Sequence, residues 1–152
     1  MANEDSEMTR NRRGVAFHEA GHAIVAWSLG LPVGTIEIRD HDGGGSTQAG
    51  YADGCADDLS TVDQIAVSTA GKEAELIFEA PTETWRGNRD NEKILNLTSR
   101  LSDGERETVR HAGQKRAKTL LRTHAAKVTK LAAVLIERCQ VSGPEFLTLM
   151  RD

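Results

Sequence analysis

VAFHEAGHA, residues 15–23, is the segment from which the rest of this chain can be interpreted. It contains two histidines, His18 and His22, four residues apart, and positions i and i+4 of an α-helix lie on the same face. Both imidazoles can therefore reach one metal ion. Glu19 projects about 100° around the helix axis, where its carboxylate can reach a water molecule beside that ion. This is the arrangement that a zinc hydrolase needs, with Glu19 as the general base.

The alternative interpretation is that the two histidines are surface residues of a charged helix. Their neighbours, however, are small or apolar. Gly21 inside a helix costs about 1 kcal/mol relative to alanine, which predicts that another element packs closely against it. The helical pattern begins at about Thr9, and Gly30 followed by Pro32 is a stop signal. We therefore predict a metal site in the middle of a helix of about five turns.

A catalytic zinc site needs a third protein ligand, and several residues have suitable chemistry. Glu73 lies on an otherwise apolar helical stripe, where a carboxylate needs a partner. Asp90 begins a helix directly after a loop, a position that also suits an ordinary helix-start aspartate. The other candidates are Glu75, His41 and the pair Asp57 and Asp58. The residue types by themselves leave this choice open.

The composition is that of a globular protein with one domain. We interpret residues 1–8 as a loose tail and residues 9–152 as a single domain. The net charge of −4 and an aromatic content of only 4% argue against a nucleic-acid partner. Basic residues cluster between Arg106 and Lys130, which we interpret as a solvated helix face.

Targeting and redox signals are sparse. The two cysteines, Cys55 and Cys139, lack CxxC spacing, so they favour neither a cysteine zinc site nor a disulfide framework. Residues 1–13 have no apolar core of a signal peptide. The longest purely apolar run, residues 23–27, is too short for a membrane span. These features predict a cytoplasmic protein without a membrane-spanning helix.

The remaining patterns predict a mainly α (α+β) fold in which a small β-hairpin or sheet packs near the first helix. The hairpin strands are predicted at residues 35–39 and 47–52, joined by a loop with three consecutive glycines. The edge of such a strand can pair with an extended substrate, or the sheet can simply cover the helix. Further helices are predicted from Ser60 as N-cap to Phe78, over residues 90–101, over residues 105–139 as one long helix, and after a Ser142–Glu145 capping box.

Several segments resemble the FtsH family of ATP-dependent zinc metallopeptidases. Residues 15–23 resemble the catalytic helix of that family, and residues 71–78, GKEAELIF, are similar to its GGRxAEELIF helix. Residues 87–90, GNRD, are similar to its GASND segment, whose aspartate is the third zinc ligand. Residues 120–121 and 131–146 are similar to the last helices of the family. The similarity spans nearly the whole chain in the same order.

This resemblance implies a helical, zincin-like peptidase domain. It implies that His18, His22 and Asp90 bind one zinc ion per chain and that Glu19 is the general base. Glu73 and Glu75 are then either structural carboxylates or carboxylates that support the site, for example by orienting a ligating histidine. The implied activity is metal-dependent hydrolysis of peptide bonds.

The departures from the family narrow the expected substrates. We find no GxxxxGK[ST] loop, ATPase module or membrane segment in this sequence. The expected substrates are therefore peptides or unfolded polypeptides, unless a separate unfoldase or adaptor delivers others. The family forms hexameric rings, and whether this chain forms a homo-oligomer is left open. Arg89, next to the implied ligand, also differs from the family pattern. The alternative function is a non-catalytic zinc-binding module, or one that makes a single regulatory cut in a partner.

Overall fold

The helices of this chain form the bulk of the fold, and a small sheet lies against the first of them. The structure is a computed structural model that describes residues 2–39, 44–49, 59–82 and 88–151. The elements are α1 (Ala2–Ser28), β1 (Val33–Ile38), β2 (Gly45–Ala49), α2 (Thr61–Ile77), α3 (Asn88–Leu97), α4 (Asp103–Thr123), α5 (Ala125–Arg138), β3 (Gln140–Val141) and α6 (Gly143–Arg151). The prediction of a mainly α fold with a small sheet is confirmed.

The first helix is longer than its apolar pattern. It begins at Ala2 instead of Thr9, because residues 2–8 contain no glycine or proline to stop helix propagation, although they carry no apolar stripe. Its predicted end is confirmed. Gly30 adopts a positive φ of 85°, and the Leu31 N–H donates to the Ala26 carbonyl, as in a glycine-terminated helix.

The second helix lies directly against α1 at the level of the motif. A Cβ added to Gly21 would meet the Cβ of Ala74 at 2.6 Å and the carbonyl oxygen of Ala70 at 2.7 Å. The close approach predicted from Gly21 is therefore confirmed, and α2 is the element that makes it. The predicted N-cap is also confirmed, since the Ser60 hydroxyl accepts a hydrogen bond from the Asp63 N–H.

The sheet has three strands in the order β2-β1-β3, and both pairings are antiparallel. The hairpin of β1 and β2 was predicted, although β2 ends at Ala49. Strand β3 was not predicted, because two residues are too few to show a period-2 pattern. Its residue Val141 pairs with Ile36, and both are fully buried, which ties the end of the chain to the sheet.

The single long helix predicted over residues 105–139 is wrong. The chain breaks at His124, whose φ of −108° and ψ of 26° leave the helical region, and two helices result. Neither glycine nor proline marks the break. It lets α4 pack against α2 while α5 packs against α1, where the His124 ring makes an edge contact with Trp27 at 5.3 Å between centroids. Tertiary packing thus overrides local helix propensity here.

The ends of the remaining helices follow their sequence signals with small shifts. The third helix covers residues 88–97 instead of 90–101. Ser102 then caps α4 in a reciprocal capping box with Glu105. The predicted box at the last helix is confirmed, because the Glu145 N–H donates to the Ser142 hydroxyl, and that hydroxyl donates to the Glu145 carboxylate. Among the described residues, no helix is both long enough and apolar enough to cross a membrane.

Candidate metal centre

Three side chains from two distant segments meet at the face of α1 that packs against α2. His18 and His22 come from α1, and Asp90 comes from the first turn of α3. The two histidine Nε2 atoms are 3.1 Å apart. The Asp90 Oδ2 atom lies 3.3 Å from Nε2 of His18 and 3.2 Å from Nε2 of His22. This is the one group of three such side chains with metal-binding spacing in the described part of the chain.

The dimensions of this triangle suit a small divalent ion. Tetrahedral zinc with bonds of about 2.0–2.1 Å has ligand atoms about 3.3 Å apart. The observed separations of 3.1–3.3 Å are close to that value on all three sides. The donor set of two imidazole nitrogens and one carboxylate oxygen is also one that zinc accepts in catalytic sites.

The hydrogen bonds on the far side of each ring direct lone pairs into the triangle. Nδ1 of His22 lies 2.8 Å from the carbonyl oxygen of Val67, which can only accept, so the hydrogen is assigned to Nδ1. Nδ1 of His18 lies 2.7 Å from Oε2 of Glu75, and the same assignment follows. In the neutral rings both Nε2 atoms are then acceptors, and they face a third acceptor on Asp90. Three converging lone pairs need a cation between them.

Without a metal ion, a proton serves that purpose. Burial by itself lowers the pKa of His18, but the hydrogen bonds that its ring donates to the Asp90 and Glu75 carboxylates and the charge of Glu19 outweigh it and raise that pKa to about 9. Burial likewise raises the pKa of Asp90, and the neighbouring His22 and His18 outweigh it and hold that pKa well below its usual range. A metal ion would displace this proton on binding.

Glu75 supports the His18 ring from α2. Its Oε2 accepts from His18, and its Oε1 accepts from both the backbone N–H and the hydroxyl of Thr82, at 2.7 and 2.6 Å. Burial raises the pKa of Glu75, but the hydrogen bonds from His18 and Thr82 outweigh it and lower that pKa below its usual range. Glu75 is only 3% exposed, so the charged carboxylate is fixed in position behind the histidine.

A glycine makes room for the same ring. A Cβ added to Gly71 would lie 2.5 Å from Nε2 of His18 and 2.6 Å from both ring carbons next to it. The His18 ring therefore lies flat against the backbone of α2, and any larger residue at position 71 would push it out of the triangle.

Glu19 is held by the sheet instead of by α2. The Thr47 hydroxyl on β2 lies 2.9 Å from Oε1 of Glu19 and donates to it. A Cβ added to Gly45 would lie 2.8 Å from Cγ of Glu19. The side chain is 6% exposed, so β2 covers it on one side and orients its carboxylate. The hairpin predicted to lie near the motif thus contacts the residue that follows His18.

The other third-ligand candidates are not part of this cluster. Glu73 faces α4, where its Oε2 is 3.7 Å from Nζ of Lys118. Its partner predicted from the apolar stripe is therefore a lysine. Glu75 contacts a histidine and not the centre of the triangle. His41, Asp57 and Asp58 lie outside the described residues, as does Cys55.

Five contributors to the site were not recognised from the sequence: Gly71, Gly45, Thr47, Thr82 and the Val67 carbonyl. Gly71 lies inside a helical pattern, where a glycine is a signal of close packing, so that signal was available. A hydroxyl on a short strand and a backbone carbonyl carry no comparable signal. Comparison of the chain with known protein families and with characterised proteins finds no match.

Proposed function

We propose that this chain is a zinc-dependent metallopeptidase of the FtsH peptidase type, acting on peptides or unfolded polypeptides. The observation that carries the proposal is the triangle of His18, His22 and Asp90, with sides of 3.1–3.3 Å and Glu19 adjacent to it in the helix. The residue types and their order along the chain support the same proposal.

The proposed ligands are the two Nε2 atoms and the Asp90 carboxylate, with one zinc ion per chain. A bound zinc ion supplies Lewis-acid chemistry, lowering the pKa of a coordinated water and polarising a peptide carbonyl. The chain's own residues transfer the proton and orient the ligands. Glu19 accepts the proton of the attacking water and passes it to the leaving amine. Thr47 holds the Glu19 carboxylate, and Glu75 and the Val67 carbonyl hold the two histidines in the ligating orientation.

Strand β2 supports the proposed substrate class. It is an edge strand of the described sheet, and it passes directly beside Glu19. An extended polypeptide can add to such an edge through main-chain hydrogen bonds, and a folded substrate cannot. We therefore propose unfolded chains, peptides and exposed termini as substrates, with a separate unfoldase or adaptor, or a homo-oligomeric assembly, as the route to larger ones. The proposed compartment is the cytoplasm, since the sequence contains only two cysteines.

The test combines metal content with turnover. The purified chain should contain one zinc ion and should cleave an unfolded protein such as casein, and a chelator should abolish the cleavage. Glu19→Gln should keep its zinc and lose at least about 100-fold in turnover, because a general base contributes about 10²–10⁴-fold. Unchanged turnover in Glu19→Gln would exclude the mechanism.

The same experiment separates the alternative functions. Zinc-loaded protein that cleaves no unfolded substrate, but captures a partner equally well as wild type and as Glu19→Gln, would be a non-catalytic module. Incubation with cell lysate distinguishes a general peptidase from a regulatory one, since the first removes many bands and the second removes one.

A further inference from the structure

The segment that follows α2 turns back toward the candidate metal centre. We call residues 78–82 the strap. It contains Glu79, whose positive φ of 51° lies in the left-handed region that a residue with a Cβ rarely adopts. After this turn the Ala80 N–H donates to the backbone carbonyl of Glu75 at 2.9 Å. The strap therefore folds back onto the end of its own helix instead of leading away from it.

The last residue of the strap completes the support of His18. Thr82 donates to Oε1 of Glu75 from its backbone N–H at 2.7 Å and from its hydroxyl at 2.6 Å. The other oxygen of that carboxylate accepts from Nδ1 of His18 at 2.7 Å. One carboxylate thus connects the strap to a proposed metal ligand, so a displaced strap would leave the His18 ring less firmly held.

Helix α1 makes room for the strap at Gly14. This residue lies four positions before His18 and therefore on the same face of α1. A Cβ added to Gly14 would collide with the carbonyl oxygen of Pro81 and would lie 2.8 Å from Cγ2 of Thr82. The strap thus crosses α1 in direct contact with its backbone, one helical turn before the first histidine.

The preceding residue, Arg13, holds the other end of the strap. Its Nη1 donates to the carbonyl oxygen of Glu79 at 3.0 Å, and its Nη2 donates to that of Phe78 at 3.2 Å. The guanidinium carbon also lies 4.8 Å from the centre of the Phe17 ring, which stacks on the Phe78 ring at 5.0 Å between centroids. The planar fork of an arginine therefore bridges two successive carbonyls at the turn where the strap begins.

The neighbouring arginine makes the same kind of contact with a different element. Nε of Arg12 donates to the carbonyl oxygen of Ile136 at 3.0 Å, near the end of α5. Successive residues of a helix point about 100° apart, so Arg12 reaches α5 while Arg13 reaches the strap. The chain therefore contains a matched pair of arginines, one of which is connected to Glu75 through the strap.

We propose that Arg13 is a positioning residue for the candidate metal centre. By holding the strap it keeps Thr82 hydrogen-bonded to Glu75, and that carboxylate in turn fixes the His18 ring. An arginine with a purely structural role would stabilise the end of α2 without affecting the ring. The proposal rests on the proposed zinc binding by His18, but it does not depend on peptidase activity.

Zinc affinity, measured by competition with a chelator, compares the two arginines in the full chain. Arg13→Met removes the guanidinium and keeps an apolar stem, and it should lower zinc affinity about three- to tenfold. Arg12→Met makes the same change one residue earlier and should alter zinc affinity less than about twofold. Arg13→Lys keeps the charge and can reach one of the two carbonyls, so its loss should be smaller than that of Arg13→Met. Circular dichroism checks that each variant folds.

Nuclear magnetic resonance reports on the His18 ring without any metal. In the metal-free chain, the Nδ1–H proton of His18 gives an imidazole resonance that is identified by its absence from His18→Gln. This proton should exchange with water severalfold faster in Arg13→Met than in the wild type, because a Glu75 carboxylate that loses Thr82 holds the ring less firmly. The exchange rate in Arg12→Met should equal that of the wild type.

The double variant Arg13→Met/Glu75→Gln tests the route of the effect. The amide that Glu75→Gln introduces has one accepting and one donating end, so it cannot accept from both His18 and Thr82. The connection between the strap and the ring is then already broken. Adding Arg13→Met to Glu75→Gln should therefore lower zinc affinity less than about twofold further.

Three results overturn the proposal. Wild-type exchange and zinc affinity in Arg13→Met, or equal losses in Arg12→Met and Arg13→Met, mean that the contact is only structural. A full three- to tenfold additional loss in the Glu75→Gln background means that Arg13 acts by another route. Zinc binding without peptide cleavage would refute the peptidase function and leave this proposal standing. If the wild type binds no zinc, the proposed function fails, and proton exchange alone decides whether Arg13 positions the ring.

Discussion

Helix α2 carries two carboxylates, Glu73 and Glu75, that are two residues apart and face different elements. Glu75 faces α1, where His18 donates to one of its oxygens, and Thr82, beyond the end of α2, donates to the other. Glu73 faces α4, where one oxygen has no hydrogen bond among the described residues and Lys118 is 3.7 Å away. Both are nearly fully buried, at 3% and 5% exposure. Burial alone therefore does not distinguish the site from the structural contact.

The two carboxylates differ in their hydrogen-bonding and charged partners, and these partners determine the direction of each pKa shift. Burial raises the pKa of both carboxyls. At Glu75 the hydrogen bonds from His18 and Thr82 reverse that shift and lower the pKa. At Glu73 the charges of Lys118 and Arg122 offset it only in part, so that pKa stays raised. A carboxylate with several short hydrogen bonds is a fixed anion that can orient a metal ligand, and one with a distant lysine is not.

The largest effect on zinc affinity should come from a substitution of Gly71, because the absence of a side chain there lets the His18 ring lie against α2. A Cβ on Gly71→Ala would lie 2.5 Å from Nε2 of His18, so the ring must move out of the triangle. We expect zinc affinity to fall by about 100-fold, the upper end of the loss caused by a misoriented ligand, measured by competition with a chromophoric chelator. The control is Gly104→Ala, whose Cβ meets no atom within 4 Å. Equal zinc affinity in the two variants would show that the face of α2 does not shape the site.

Glu75→Gln should have the next largest effect, since it removes the charge behind His18 and keeps the shape. Loss of such an outer partner costs about 10–100-fold in metal affinity. Glu73→Gln is the matched control, made on the same helix at the same burial, and it should leave zinc affinity unchanged. If both substitutions lower the affinity equally, the contrast between the two faces of α2 is wrong.

Thr47→Val should separate the support of Glu19 from the support of the metal ligands. It removes the 2.9 Å hydrogen bond to Oε1 of Glu19 but touches none of the three ligands. A hydrogen bond to a charged group contributes about 1.5–3 kcal/mol, so we expect kcat to fall at least about tenfold with zinc content unchanged. Thr47→Ser keeps the hydroxyl and should restore most of the activity. A loss of zinc in Thr47→Val would instead assign β2 to the metal site.

The smallest effect should be that of Glu73→Gln on stability, and its sign depends on pH. Burial raises the pKa of Glu73 in the folded state. Its contribution to the free energy of unfolding is therefore present below the pKa of the unfolded state and is lost as pH rises through the pKa of the folded state. Glutamine does not titrate. The melting temperature of Glu73→Gln relative to wild type should therefore increase between about pH 4 and about pH 8.

Glu145 provides the control of opposite sign. Arg138 beside it lowers the pKa of that carboxyl in the folded state. Its contribution to the free energy of unfolding is therefore present above the pKa of the unfolded state and is lost as pH falls through the pKa of the folded state. Glu145→Gln should accordingly lose melting temperature relative to wild type over the same rise in pH. Parallel trends in the two variants would contradict the pKa assignments.

Much of the fold followed from local patterns. The end of α1 at Gly30, the Ser60 cap of α2 and the Ser142–Glu145 box were all predicted, because a cap uses residues within one turn of the helix end. The break at His124 and strand β3 were not predicted. Each exists because a distant element packs or pairs there, and the neighbouring residues carry no sequence signal for the break or for the strand.

In the candidate site, the two histidines and Glu19 could be placed by sequence because one helical turn relates them. Asp90 was one of several candidates on chemistry alone, and the family resemblance selected it. The structure brings Asp90 to within 3.3 Å of both rings. Whether a metal ion occupies this triangle, and whether the chain cleaves peptides, stay predictions for the experiments above.

The sequence by itself determined the features that lie within a single helix: two imidazoles on one face, a carboxylate one residue further on, and a glycine that predicts close packing by another element. Only the tertiary structure decided which of the buried carboxylates supports the histidines and which faces a lysine, although Glu73 and Glu75 lie on the same helix. The physical reason is that the period of a helix specifies which residues share a face, whereas the partner of that face is set by packing between segments about 50 residues apart.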